Sequence, residues 1–458
     1  MYNSALPAAD RQAVGKCFTM GNITMRFTYC LTGWLLLLAS VSRGQDWPEF
    51  RGPLGNGHAA AVEDAPSAGL PLRWSETQNV TWKTPIPGCG WSTPVVMGGQ
   101  VWLTTATEDG HDFFAVCVDA RSGRVRLDRK LFHADKPEPL GNGVNCYASP
   151  SPVVEPGRVY VSFGSYGTAC LDTATRKTIW TRTDLACRHY RGPGSSPILF
   201  EDLLILTMDG VDVQYLAALD KQTGRTVWKT DRTTAWNDLD AAGKPKTEGD
   251  ERKAFSTPII IRVEGKPLLI SSGSKALYGY DPRTGRERWK VYHGSHTAAS
   301  RPVFAEGLVM FVTGMGRTEL WAVKPDGQGD VTRSHVVWKN SGKVVFKLPS
   351  PVAVGQLVFM VNDGGVASCL EIATGREIWQ ERIGGHFTAS PIYADGRLYF
   401  CSQEGGVTVI KPGRTCELLA TNTLESGFMA SPAVSGKAFF LRTRTHLYRI
   451  ESHGPISK

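Results

Sequence analysis

Ser350-Pro351-Val352-Ala353-Val354 runs into a Gly355-Gln356 turn, residues 357–361 run into Asn362-Asp363-Gly364-Gly365, and residues 366–370 run into Glu371-Ile372-Ala373-Thr374-Gly375-Arg376, ahead of Glu377-Ile378-Trp379-Gln380. Four short β-rich runs divided by Gly, Asn and Asp read as an antiparallel four-stranded meander, because such residues supply the positive φ of tight reversals. One such sheet is one propeller blade. The unit recurs: a Pro with Ser one or two residues before it opens a β run at Pro94, Pro152, Pro197, Pro258, Pro302, Pro351, Pro391 and Pro432. Eight openings at a period of roughly 40 to 60 residues predict one repeat domain, where length alone would suggest two or three.

The ends of the repeat array complete each other. Residues 79–84, Asn-Val-Thr-Trp-Lys-Thr, look like a fourth strand with nothing before it, and residues 432–450 offer three strands and stop. An open sheet edge leaves backbone groups unpaired, so the strand of Trp82 is expected to close the eighth blade. The expected class is therefore all-β: an eight-bladed propeller over residues 74–451, preceded by an extended lead (45–73) and followed by a short tail (452–458).

Two further positions repeat. Third strands exit through an acid followed three residues later by Ser or Thr (Asp119 and Ser122, Asp172 and Thr175, Asp220 and Thr223, Asp281 and Thr284, Glu371 and Thr374), and fourth strands carry Trp180, Trp228, Trp289, Trp338 and Trp379. Such an acid can bond its own turn, and a Trp on the outer strand, like Trp82, can wedge against the next blade and bury roughly 150–250 Å². Blades 1, 5, 7 and 8 depart from the pattern: Leu127 and Leu418 replace Trp, and Lys324-Pro325 and Lys411-Pro412 replace the acid.

The acid-x-x-Thr-Gly-x-x-x-Trp unit resembles the tryptophan-docking repeat of the pyrroloquinoline-quinone-type (PQQ-type) β-propellers. That superfamily contains quinoprotein alcohol dehydrogenases and the non-enzymatic outer-membrane-protein assembly factor B, and the resemblance covers residues 74–450. It implies the fold, and it implies one of two activities: a protein-interaction scaffold of the cell envelope, or PQQ-dependent oxidation of alcohols or sugars. The second would need a Ca²⁺ held by Glu, Asn and Asp oxygens, an Asp as base and, commonly, a disulfide between consecutive cysteines. No two cysteines are adjacent here and the inner-strand segments carry no Asp or Glu base, so the expected role is a non-catalytic scaffold, with PQQ and Ca²⁺ as the alternative.

Residues 1–44 read as an export signal. Met25-Arg26 is a short basic start, residues 31–41 are apolar around four consecutive leucines, and Ser42-Arg43-Gly44 offers small residues before Gln45; translation is expected to begin at Met25. The apolar run is short for a bilayer span, an uncleaved anchor being the alternative, and no Cys follows it to carry a lipid. Of 51 Lys and Arg and 43 Asp and Glu, the first 44 residues hold four and one, leaving 47 against 42, a net +5. So small an excess, without dense basic runs, argues against nucleic acid as a partner.

Eight cysteines remain after residue 44. Cys117, Cys170 and Cys369 share the slot two residues before the acid, where other repeats have Ala218 and Gly279, so a small apolar residue is wanted there. Cys146 and Cys187, ahead of neighbouring first strands, could pair in an oxidising compartment.

Chemistry is expected in the loops leading into first strands, which open on one mouth of the channel. His133, Asn145, His189, Tyr190, Arg191, His293, His296, Arg301 and His386 fall there, with Tyr147 and Lys347 near. Imidazoles and cations around one mouth suit an anionic ligand, a carboxylated quinone or a metal. The partners expected are other envelope proteins or a small ligand. The longest insertion, residues 231–254, is densely charged and reads either as a solvated excursion or as a lid over that mouth.

Overall fold

The computed structural model describes residues 46–59, 69–141, 143–341 and 347–452. The export signal, the proposed start at Met25 and the end of the tail lie outside them. The described residues form eight antiparallel sheets, seven of four strands and one of five, arranged as an eight-bladed β-propeller. Val80–Pro85 pairs with His446–Glu451 at the outer edge of the eighth sheet, so the two chain ends complete one blade as expected. The fifth strand belongs to blade 4, where Gly329–Asp330, sent across from blade 5, pairs in parallel with Glu287–Tyr292. This covers an outer edge that would otherwise stay open.

Inter-blade docking follows from the repeat. Each outer-strand Trp donates its indole N–H to a backbone carbonyl in the following blade: Trp82 to Ala120 (3.2 Å), Trp180 to Lys221 (3.1 Å), Trp228 to Pro282 (3.1 Å), Trp289 to Pro325 (2.8 Å), Trp338 to Ile372 (2.8 Å) and Trp379 to Gly413 (3.0 Å). In four of these six an acid (Asp119, Asp220, Asp281 or Glu371) stands just before the receiving residue and fixes the turn. Thr223, for example, gives Asp220 both its backbone N–H (2.8 Å) and its hydroxyl (2.7 Å), holding that carboxyl below its ordinary range. Gly224 then adopts φ +74° beneath the Trp180 ring, where a Cβ would lie 2.8 Å from it. The exception is Arg176 (φ 60°), which is tolerated because blade 1 carries Leu127 and brings no indole to that place.

The small-residue slot has the same origin. Cys170, Ala218, Gly279 and Cys369 stand in register opposite Trp180, Trp228, Trp289 and Trp379, and the two Cys are buried. Hydrophobic clusters such as Ile270, Leu277, Trp289, Phe311 and Trp321 fill the space between consecutive blades, so the core is a chain of interfaces rather than one centre.

Residues 46–59 of the lead cross one end of the channel. Trp47, fully buried, exchanges backbone bonds with Val96 of blade 1 at 2.8 Å each way, and the Pro48 carbonyl accepts from Val154 of blade 2. Arg51 reaches the carbonyls of Pro351 and Pro391 (2.5 Å each), and Gly57 and Ala59 bond Tyr393 of blade 7. Glu49 meets Arg301 at 3.1 Å, and Arg301 also bonds the Phe50 and Pro258 carbonyls. The mixture of Gly, Pro and alternating charge that looks like a surface linker in sequence is the packing of a plug.

Candidate functional site

Above the plug the channel widens into a chamber of about 480 Å³, floored by Phe50. Its wall is a belt of hydroxyls from the residue before seven of the eight opening prolines. Thr93 N–H donates to Ser151 Oγ, Ser151 to Ser196, Ser196 to Thr257, Arg301 to Ser350, Ser350 to Ser390 and Ser390 to Ser431, all at 2.8–2.9 Å. Each bond joins one blade to the next. The hydroxyls that make the repeat recognisable therefore accept structural bonds.

Of the expected mouth residues, Asn145, Arg191 and His296 line the chamber, as does Lys347. Arg301 does not: it takes the belt position in blade 5, and its side chain reaches down to the plug. Tyr190 stands beside Lys253, whose ammonium lies 5.4 Å from its ring centre. His133 is the last residue of Val125–His133 on the outer edge, bonded to Asp112 at 2.6 Å, and His386 is an exposed partner of Glu404 at 2.7 Å. His189 is buried, taking the Ser165 N–H at 3.1 Å, and His293 lies against Phe311 and Trp321.

The imidazole part of the expectation does not hold electrostatically. Burial pushes His189 down to about 4 and His293 down to about 3, and it lowers His296 as well. Near neutral pH these rings carry no charge. The positive groups of the chamber are instead Arg191, Lys253 and Lys347, facing Asp250 and Asp363. Lys253 is ion-paired to Asp250, Asp363 accepts the Lys347 backbone N–H at 3.3 Å, and Arg191 has no ion-pair partner among the described residues.

Sequence reading missed Lys253 and Asp250 as chamber residues because they close the 231–254 insertion. The insertion is exposed over most of its length and fastened down at a few points. Arg252 grips Asp238 with two hydrogen bonds, Ser274 Oγ bonds the Glu251 carbonyl, and Gly249 (φ +81°) packs on Val211, which lays its end along the mouth. The rim is partly apolar, with Val144 47% and Met315 41% exposed.

The PQQ–Ca²⁺ centre implied by the resemblance can be tested on its donor set. Ca²⁺ takes six to eight oxygens, normally including several carboxylates. The two carboxylates lining the chamber are those bound to Lys253 and Lys347, and among the described residues no cluster of three or more His, Cys, Asp or Glu could hold a metal. The residues present do not fit that centre. Nor do Cys146 and Cys187 pair: Cys187 Sγ faces His189 Nδ1 at 3.7 Å, while Cys146 faces Cys89.

Eight blades, six of them docked through an outer-strand Trp, around a plugged channel define a PQQ-like β-propeller. The chain matches the family described as outer membrane protein assembly factor BamB over residues 74–230 and 212–454, and it belongs to that family. An outer membrane protein assembly factor BamB from Yersinia pestis is 22% identical over 205 residues, 42% of this chain and 48% of the relative, so the match spans about half of that relative's length. Among solved structures, BamB from Moraxella catarrhalis superposes with a TM-score of 0.55 at 10% identity, covering 81% of this chain and 99% of that one. The quinohemoprotein alcohol dehydrogenase ADHIIG from Pseudomonas putida HK5 does so with 0.62 at 12%, covering 90% and 82%. Identities this low establish the shared fold and leave activity to the site. Among the described residues no helix is long and apolar enough to cross a membrane.

Proposed function

We propose that this protein is an exported, non-catalytic scaffold of the cell envelope that binds partner proteins at the open mouth of its plugged channel. The observation that carries this reading is the state of the chamber's polar groups. The belt hydroxyls hold neighbouring blades together, His133, His189, His293 and His386 do not line the chamber, and Asp250 and Asp363 already accept hydrogen bonds from Lys253 and the Lys347 backbone. What remains open to a partner is Arg191 and Lys347 within a partly apolar rim. Arginine beside apolar area is a favoured composition for protein contacts. Membership of the assembly-factor family supports outer-membrane assembly proteins as the partner class. The alternative, a quinone-dependent dehydrogenase, draws on the shared fold alone.

The test is photo-crosslinking in the envelope of the producing cell. A photoreactive residue at Met315 or Val144 is expected to give a discrete crosslinked species that one at Ile179, exposed on an outer strand, does not. Arg191→Glu with Lys347→Glu should reduce it by about tenfold or more, the scale of losing one or two interfacial charge contacts. Crosslinking from Ile179 alone, or an undiminished product in the charge-reversed chain, would refute the mouth as the docking face.

A further inference from the structure

Cys89 and Cys146 stand in the loops leading into blades 1 and 2, near enough for each thiol to perturb the other. The backbone around each is fixed. Cys89 exchanges hydrogen bonds with Ala106 (2.8 and 2.9 Å), and Trp91 N–H, two residues on, bonds the carbonyl of Ala148, two residues beyond Cys146, at 3.1 Å. The two loops thus run side by side, and the two cysteines stand where they are tied. Cys146 is buried, with Ser149 Oγ at 3.4 Å, whereas Cys89 is partly exposed.

We propose that Cys89 and Cys146 form a redox pair that closes to a disulfide joining blades 1 and 2 beside the chamber. The oxidant is a low-molecular-weight or protein disulfide, RSSR. The Cys89 thiolate attacks one sulfur, the RS–SR bond breaks and one thiolate leaves. Cys146 then gives up its proton and its sulfur attacks that of Cys89, displacing the second thiolate. One S–S bond has formed and one has broken, two protein thiols are oxidised, and their protons end on two RSH molecules. The roles follow from the surroundings. The hydrogen bond from Cys146 and the nearby Arg442 and Arg444 lower the Cys89 thiol, while burial raises that of Cys146, so Cys89 is the attacking thiolate and Cys146 resolves the mixed disulfide. The bond would pin residues 145–149, which supply Asn145 and Ser149 to the chamber wall, against blade 1.

The test uses the full chain, purified reduced and incubated with oxidised glutathione, then alkylated and digested with trypsin without reductant. The expected product is the peptide of residues 84–121 joined to that of residues 131–158, retained in Cys117→Ala and lost in Cys89→Ser. Cys146→Ala should leave glutathione on Cys89. In the unoxidised native chain Cys89 should alkylate at least about ten times faster than Cys146, and oxidation should raise the Tm by about 5 °C. Full alkylation of both thiols after oxidation of the folded wild-type chain, or linkage of Cys146 to Cys187, would overturn the proposal. Both readouts use wild-type protein, so failure of a variant to fold does not shield it, and the assay does not depend on the export reading.

Discussion

A chain beginning at Pro85 is expected to lose the single cooperative unfolding transition of the full protein and to aggregate at micromolar concentration. Removing residues 46–84 takes away the closing strand Val80–Pro85, its pairing with His446–Glu451, and the Trp82 indole that bonds Ala120 in blade 1. It also takes Trp74, packed 5.3 Å from Phe439, and the whole plug. Two buried Trp side chains and a strand of ladder bonds together exceed about 5 kcal/mol, a large share of a typical domain's stability. The exposed edge that remains contains Leu447, Tyr448 and Ile450, an apolar strand open to pairing with another chain. Calorimetry and light scattering would report it. A monomer that melts cooperatively within about 2 °C of the full chain would mean that the ring does not depend on this closure.

Arg301→Met should be the most costly single substitution, at about 3–5 kcal/mol, because it leaves a buried carboxylate without its partner. Glu49 lies 3.1 Å from Arg301 beneath the chamber, and the arginine also satisfies the Phe50 and Pro258 carbonyls. Burial raises the Glu49 carboxyl above its ordinary value of 4.5 and outweighs the attraction of the cation. The pH dependence follows. A folded pKa above the unfolded one means that the folded state binds more protons between the two, so stability falls as pH rises through that window and recovers as pH drops. Without Arg301 the window widens upward. The variant should regain part of its loss between pH 7 and 5, and Glu49→Gln in the same chain should recover most of it. Chemical denaturation at the two pH values, with the double-mutant cycle, checks both statements. A flat pH response, or a double variant no better than Arg301→Met alone, would show that the cost is lost packing.

The ring was legible because its determinants repeat. An acid, a hydroxyl, a Gly and a Trp at fixed offsets recur often enough that Leu127 and Arg176 can be recognised as matched exceptions. The structure adds why they match: with no indole from blade 1, blade 2 needs no glycine. The plug was not legible, because residues 46–59 are used once and bond to five blades through contacts from about 50 to 340 residues away in sequence. Arg301 shows what was overlooked. Seven of the eight opening prolines follow Ser or Thr, and the single Arg in that register marked a different role, a side chain aimed at Glu49 rather than at solvent. The histidines failed for another reason. A loop can be placed from turn chemistry, but whether its imidazole faces the channel, as His296 does, or a bed of Phe311 and Trp321, as His293 does, depends on packing that a repeat pattern does not encode. Cys146 was matched with Cys187 rather than Cys89 because the loops of Cys89 and Cys146 become adjacent only when two blades stand side by side.

The most direct test of a scaffold that performs no redox chemistry is titration of the purified chain with PQQ and Ca²⁺, followed by electron transfer from primary alcohols and aldoses to an artificial dye. The fixed hydroxyl belt and the engaged carboxylates Asp250 and Asp363 predict no saturable quinone binding at micromolar concentration and no dye reduction above the protein-free rate. Tight, Ca²⁺-dependent binding accompanied by substrate-dependent dye reduction would contradict that account.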